Sequence, residues 1–156
     1  MAVKRLVDAA TPVPEAIARV LEEAGIEVVF GMPGGRTGAI FDGLYDHRDR
    51  IRAVLVREEG LATVMADVYG RLTGRPGVAM GQGAFLLTNA GMGIVEAYLA
   101  GSPVLLLSDL SDGSPYSHHG PYQAGTGDYG TWDARTTIPS PVGDRLALIC
   151  DRCAAA

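Results

Sequence analysis

Cysteine is nearly absent from this chain: Cys150 and Cys153 are the only two in 156 residues. A structural zinc needs about four ligands and there is no second pair, while a thioredoxin-type couple belongs at a helix start after a strand rather than in a tail. A reduced, incidental C-x-x-C pair is the expectation. Clustered positive charge is missing too. No Lys/Arg run exceeds two neighbours and the formal net charge is -5, so neither a phosphate backbone nor an anionic membrane surface is invited, and no nucleic-acid partner is expected. Long apolar runs are also lacking, since nothing approaches the ~18 residues of a membrane span. The opening Met1-Ala2-Val3-Lys4-Arg5-Leu6-Val7-Asp8 carries too short an apolar stretch for a secretory signal, so a cytoplasmic location is the default expectation. Low-complexity segments, internal repeats and an obvious linker are absent as well.

What is present suits one globular domain. The length can bury a real hydrophobic core, and 47% hydrophobic with 20% charged residues is an ordinary soluble composition. The 21 glycines and 9 prolines imply many tight turns. Apolar residues at Ile17, Val20, Leu21 and Ala24 recur at helical spacing between Thr11, a candidate N-cap, and Gly25, a candidate stop. Ile26 to Phe30 then reads as a strand covered on both faces. The alternation continues with a helix near Thr37 to Tyr45, a strand from Arg52 to Val56, a helix from Leu61 to Leu72 and a strand from Val78 to Met80. A helix from about Asn89 to Ala100 follows, then a run from Val104 to Leu107 that reads as a buried central strand. Parallel strands need crossover helices, so the pattern predicts a doubly wound α/β fold with ligands at the carboxyl ends of the strands. Ser108 to Gly130 is polar, glycine-rich and aperiodic, the character of a functional or disordered loop.

Three turns carry candidate chemistry. Gly31-Met32-Pro33-Gly34-Gly35 follows a strand, yet it matches neither a dinucleotide fingerprint nor a P-loop, and a purely structural turn explains it equally well. Gly81-Gln82-Gly83 with Thr88-Asn89 offers backbone amides and two polar side chains near a helix start. Arg57-Glu58-Glu59-Gly60 is more informative. One carboxylate can serve the helix dipole, which leaves the other free to point into a cleft at the sheet's carboxyl edge. His47, between Asp46 and Arg48, reads as a surface residue of a charged turn.

From Glu59 onward the sequence Glu59-Gly60-Leu61-Ala62-Thr63-Val64-Met65-Ala66-Asp67-Val68-Tyr69-Gly70-Arg71-Leu72-Thr73-Gly74-Arg75-Pro76-Gly77-Val78 resembles the E-x6-A-D-x-Y-A-R-x-T-G-x-P-G-V signature of the acetolactate synthase and pyruvate decarboxylase superfamily. Gly25 through Gly35 is similar to the same family's G-v-x-x-v-F-G-x-P-G turn, and Thr88-Asn89 through Ala97-Tyr98 and Ser102-Pro103-Val104-Leu105 are similar to its later elements. The resemblance covers roughly residues 13 to 135. It implies the pyrimidine-binding domain of a thiamine diphosphate enzyme over residues 1–135, with residues 136–156 an atypical tail of the same domain. The family's Glu lies eight residues before the Asp of the A-D pair, which selects Glu59 over Glu58. There it hydrogen-bonds N1′ of the cofactor's aminopyrimidine, favouring the imino tautomer whose N4′ takes the thiazolium C2 proton for attack on a 2-keto acid. Pro33, Gly34, Gly35, Gly83 and Asn89 are the further cofactor-binding positions the resemblance implies.

The resemblance also implies a partner. Mg²⁺ and the diphosphate are held by a second α/β domain with a G-D-G…N-N motif, and Ser111-Asp112-Gly113 lacks the downstream asparagines. This chain is therefore expected to work in a homo- or hetero-oligomer with a diphosphate-binding subunit, and not alone. The substrate signals are mixed. Gly35 and Gln123 resemble the acetolactate synthase side, whereas His118-His119 with Gly125-Thr126-Gly127-Asp128-Tyr129 resemble the 2-keto acid decarboxylases, where histidines relay protons. Gly81 to Leu87 replaces a shorter G-P-G-A, and no residue here speaks for or against FAD. Two other readings stand beside this one: a truncated, non-catalytic homologue or interaction module, favoured by Ile138-Pro139-Ser140-Pro141 and the tail, and a flavodoxin-like nucleotide binder, which leaves the Glu59 signature unexplained.

Overall fold

A computed structural model describes residues 6–7, 10–34 and 37–108. Gly35, the expected loop from residue 109 to 130 with His118, His119 and Gln123, the tail and the cysteine pair lie outside the described residues. Nine elements follow in order: α1 (Val13–Glu23), β1 (Val28–Gly31), α2 (Thr37–Asp46), β2 (Arg52–Leu55), α3 (Glu59–Thr73), β3 (Gly77–Gly81), α4 (Gly83–Asn89), α5 (Gly91–Ala100) and β4 (Val104–Ser108).

The four strands form one sheet in the order β2-β1-β3-β4, and every neighbouring pair is parallel. Alternate residues of a strand face opposite sides, and the two faces are covered differently. Val29, Val78, Met80 and Leu107 pack with Ala18 and Leu21 of α1 and Leu44 of α2. On the other side Val28, Phe30 and Ala79 pack with Ala62 and Ala66 of α3, while Leu86, Ala90 and Ile94 of the α4–α5 layer join through Leu106. Helices thus cover both faces, which is the doubly wound architecture the alternating pattern predicts. All four residues of β1 and all five of β3 are buried.

Several local expectations are corrected. The N-cap of α1 is Pro12, not Thr11, and no side-chain capping bond is made there. Pro14 sits in the first turn and has no N–H for a cap to bind. The helix expected from about Asn89 to Ala100 is α5, and an unforeseen helix, α4, precedes it across Ala90, so Thr88 and Asn89 close α4 rather than open a helix. Among the described residues β4 stands at an end of the sheet and only its Leu107 is buried, in contrast to the central strand its apolar run suggests. His47 is not a surface residue. Its Nδ1 lies 2.6 Å from Glu22 Oε2 and its Nε2 3.2 Å from Glu15 Oε2, with 15% of the side chain exposed. Two carboxylates spaced two turns apart on α1 meet both ring nitrogens, and the Glu22 bond, seconded by Glu15, raises the imidazole's pKa above its ordinary value.

On the opposite face the buried Asp67 of α3 receives Arg71 Nε at 3.0 Å, and Arg71 also reaches Glu96 of α5 at 3.7 Å. The guanidinium keeps the Asp67 carboxyl below the usual carboxylate range. The outer surface of this helical layer is apolar: Leu61, Val68 and Leu72 of α3 and Met92, Val95 and Leu99 of α5 are all exposed.

Candidate functional site

In a doubly wound sheet the crevice opens at the carboxyl ends of the strands where the winding direction reverses. Here β1 is followed through α2 by β2 on one side, whereas β3 and β4 lie on the other, so the reversal falls between β1 and β3. The turns after β1, β2 and β3 all emerge at this edge. They are knit together by backbone bonds, Met32 N–H to the Met80 carbonyl at 3.2 Å and Val56 N–H to the Gly31 carbonyl at 2.9 Å.

Glu59 is the first residue of α3, after an extended Glu58 at the N-cap. The positive end of the helix favours a negative charge at that place. The two adjacent glutamates part company there. Glu58 takes the cap position, whereas Glu59 is 4% exposed, one of four buried polar or charged residues among those described. Although Glu59 follows β2, its side chain crosses the carboxyl edge to β3: a Cβ built on Gly81 would stand only 2.7 Å from Glu59 Cγ. Gly81 is therefore glycine because the carboxylate's stem occupies the space of a side chain. Asn89, at the end of α4, donates from Nδ2 to Glu59 Oε2 at 3.1 Å.

The β1 turn forms the other wall. Pro33 is exposed and Gly34 half-buried. The fully buried Thr37 closes the turn, its hydroxyl donating to the Gly34 carbonyl at 2.6 Å and accepting from the Gly34 N–H at 3.1 Å. Gln82, at the N-cap of α4, lies against this turn, with Oε1 2.8 Å from where a Gly34 Cβ would be. Gly83 opens α4 beside it. The structure thus gathers Glu59, Asn89, Gly34 and Gly83 at one sheet edge. Thr37 and Gln82 are additions that motif reading misses. A threonine three residues past a glycine turn is the signal for the first, whereas Gln82 sits inside a quoted motif without a role of its own.

A buried carboxylate with an amide partner, beside glycine-lined turns at a switch point, can exchange a hydrogen bond or a proton with a ligand seated in the crevice. No group of three or more His, Cys, Asp or Glu side chains among the described residues is placed to hold a metal ion. Fold and site together define an α/β ligand-binding domain built around one sequestered acid. The family model for "Thiamine pyrophosphate enzyme, N-terminal TPP binding domain" matches residues 12–128, and the chain belongs to that family, thiamine pyrophosphate being thiamine diphosphate by its other name.

Among curated proteins it is similar to acetolactate synthase of Bacillus subtilis, 39% identical over 97 residues, and to the acetolactate synthase large subunit of Buchnera aphidicola, 42% identical over 97 residues. Each match covers 60% of this chain and 16% of the relative. A probable 2-ketoarginine decarboxylase of Pseudomonas aeruginosa is 37% identical over 97 residues, covering 62% of this chain and 17% of that protein. The matched region is about a sixth of the length of these relatives. No helix among the described residues is long and apolar enough to cross a membrane.

Proposed function

We propose that this chain is the pyrimidine-binding half of a thiamine diphosphate enzyme acting on a 2-keto acid, completed by a diphosphate-binding partner that holds Mg²⁺. The observation that carries the reading is the Glu59 carboxylate, buried at the β1/β3 switch point yet reaching the mouth through Asn89. The likeness to acetolactate synthases and to a 2-ketoarginine decarboxylase supports the substrate class.

Bound thiamine diphosphate supplies an electron sink for cleaving the bond beside a keto group. Glu59, buried at the first residue of α3, holds or moves the proton at its carboxyl oxygen. The turn at Pro33-Gly34, closed by Thr37, and Gly83 orient the ring through backbone groups, and Gly35 is a further proposed contact. His118, His119 and Gln123 are the proposed contacts on the substrate side. The apolar α3–α5 surface, with Leu72 81% and Leu99 73% exposed, supports docking of the partner on that layer.

The test is reconstitution. The purified chain alone is expected to bind thiamine diphosphate poorly, and adding a cognate diphosphate-binding chain with Mg²⁺ restores decarboxylation. Glu59→Gln lowers that rate by about 10²–10⁴-fold. Full activity in the Glu59→Gln complex sinks the role of this acid, and turnover by the isolated chain refutes the divided site.

A further inference from the structure

We propose that Asn89 is a positioning residue for Glu59, an amide that fixes the carboxylate over the end of β3 instead of binding the cofactor itself. The inference rests on the reading of Glu59 as the proton-handling acid. A glutamate has three side-chain torsions, and the contact at Gly81 constrains only the stem, since it involves Cγ. The terminal torsion is soft unless an oxygen is held. Asn89 Nδ2 holds Oε2 at 3.1 Å. The direction of that bond follows from chemistry, because the amide nitrogen only donates.

The backbone around Asn89 is anchored to the same turn of α3 that carries the acid. Its carbonyl oxygen lies 2.9 Å from where a Cβ on Gly60 would stand, so the α4–α5 junction rests directly on the residue after Glu59. The buried Thr63 hydroxyl bonds the Gly60 carbonyl at 2.9 Å and reaches the Ala90 carbonyl at 3.4 Å, linking the two segments again. Asn89 itself is exposed while Glu59 is 4% exposed, which puts the donor on the solvent side of the acid. A residue so placed can fix the orientation of the carboxylate and restrict the direction from which a ligand approaches it.

Two measurements decide the matter. In the full, ¹⁵N-labelled chain without cofactor, the Asn89 side-chain amide pair is identified by its loss in Asn89→Ala. One of its protons is expected to be displaced from the position of exposed asparagines and to return there in Glu59→Ala, with circular dichroism confirming that both variants fold. An Asn89 pair unmoved by Glu59→Ala overturns the tether whether or not the chain is an enzyme. In the complex with partner and Mg²⁺, Asn89→Ala is expected to lower kcat about ten- to a hundredfold while the thiamine diphosphate dissociation constant stays within about twofold. Weakened cofactor binding with kcat unchanged makes Asn89 a cofactor contact and overturns the proposal. An inactive wild-type complex would instead count against the functional reading, with the amide resonance still deciding the tether.

Discussion

Replacing Gly81 by alanine tests the placement of the acid directly. The new methyl carbon would stand 2.7 Å from Glu59 Cγ, 3.3 Å from Leu86 Cδ1 and 3.4 Å from Leu86 Cβ. Glu59 Cγ has to retreat by roughly 0.8 Å to reach the ~3.5 Å at which carbon pairs attract. It has little room to do so, because Leu86 is fully buried and Glu59 nearly so. Overpacking of this kind costs about 1–3 kcal/mol, which for a domain of this size lowers Tm by roughly 2–12 °C. Calorimetry and urea denaturation measure both quantities. Truncating Glu59 to alanine removes Cγ, so the Gly81→Ala/Glu59→Ala double variant should recover part of the loss, with a coupling on the order of 0.5–3 kcal/mol. Gly38→Ala in α2 is the control, since a Cβ there meets nothing within 4 Å, and it should stabilise by about 0.4–1 kcal/mol. Gly81→Ala as stable as wild type, or strictly additive with Glu59→Ala, would refute the claim that the carboxylate stem lies across β3.

Other expectations follow from the charged pairs and the exposed layer. The His47 proton is held above its ordinary range by Glu22 and Glu15, so its contribution to stability is full below the unfolded value near 6.5 and disappears as pH rises through the higher folded value. His47→Gln should flatten the decline in urea midpoint above pH 6.5, and an unchanged profile removes His47 as its source. The Asp67 carboxyl is held low by Arg71, so the opposite sign applies: its contribution is present above the ordinary carboxylate value and lost as pH falls through the depressed one. Asp67→Asn should weaken that acid dependence, and Arg71→Ala, which strips a buried carboxylate of its partner, should cost about 1–3 kcal/mol. Glutamate at both Leu72 and Leu99 should leave the fold intact and abolish partner capture in co-purification; retained capture places the partner elsewhere.

The alternation of the fold was legible because each apolar run is bounded by a strong stop. Val28–Gly31 is buried throughout, as its β-branched run implies. Gly74 ends α3 in the left-handed conformation, φ 68°, within the Thr73-Gly74-Arg75-Pro76 stop. The placement of Glu59 at the carboxyl edge was legible for the same reason. What escaped is long-range. Helix α4 escaped because seven residues are too few to show a helical period, and its end at Ala90, φ -86°, ψ 0°, is met by the Thr63 hydroxyl from 27 positions away. The partners of His47 lie 25 and 32 residues earlier on α1, so its neighbours Asp46 and Arg48 misrepresent its surroundings. Asn89 was legible as a candidate near Gly81-Gln82-Gly83, but its engagement with a carboxylate 30 positions away was not.

That separation of 30 positions sets an order of events for a chain emerging from the ribosome. The acid is synthesised first, the glycine that accommodates its stem next, and the amide that steadies it last. Before β3 and α4 have docked, Glu59 has neither the close approach to Gly81 nor the bond from Asn89, so the placement of its carboxylate is a late product of folding.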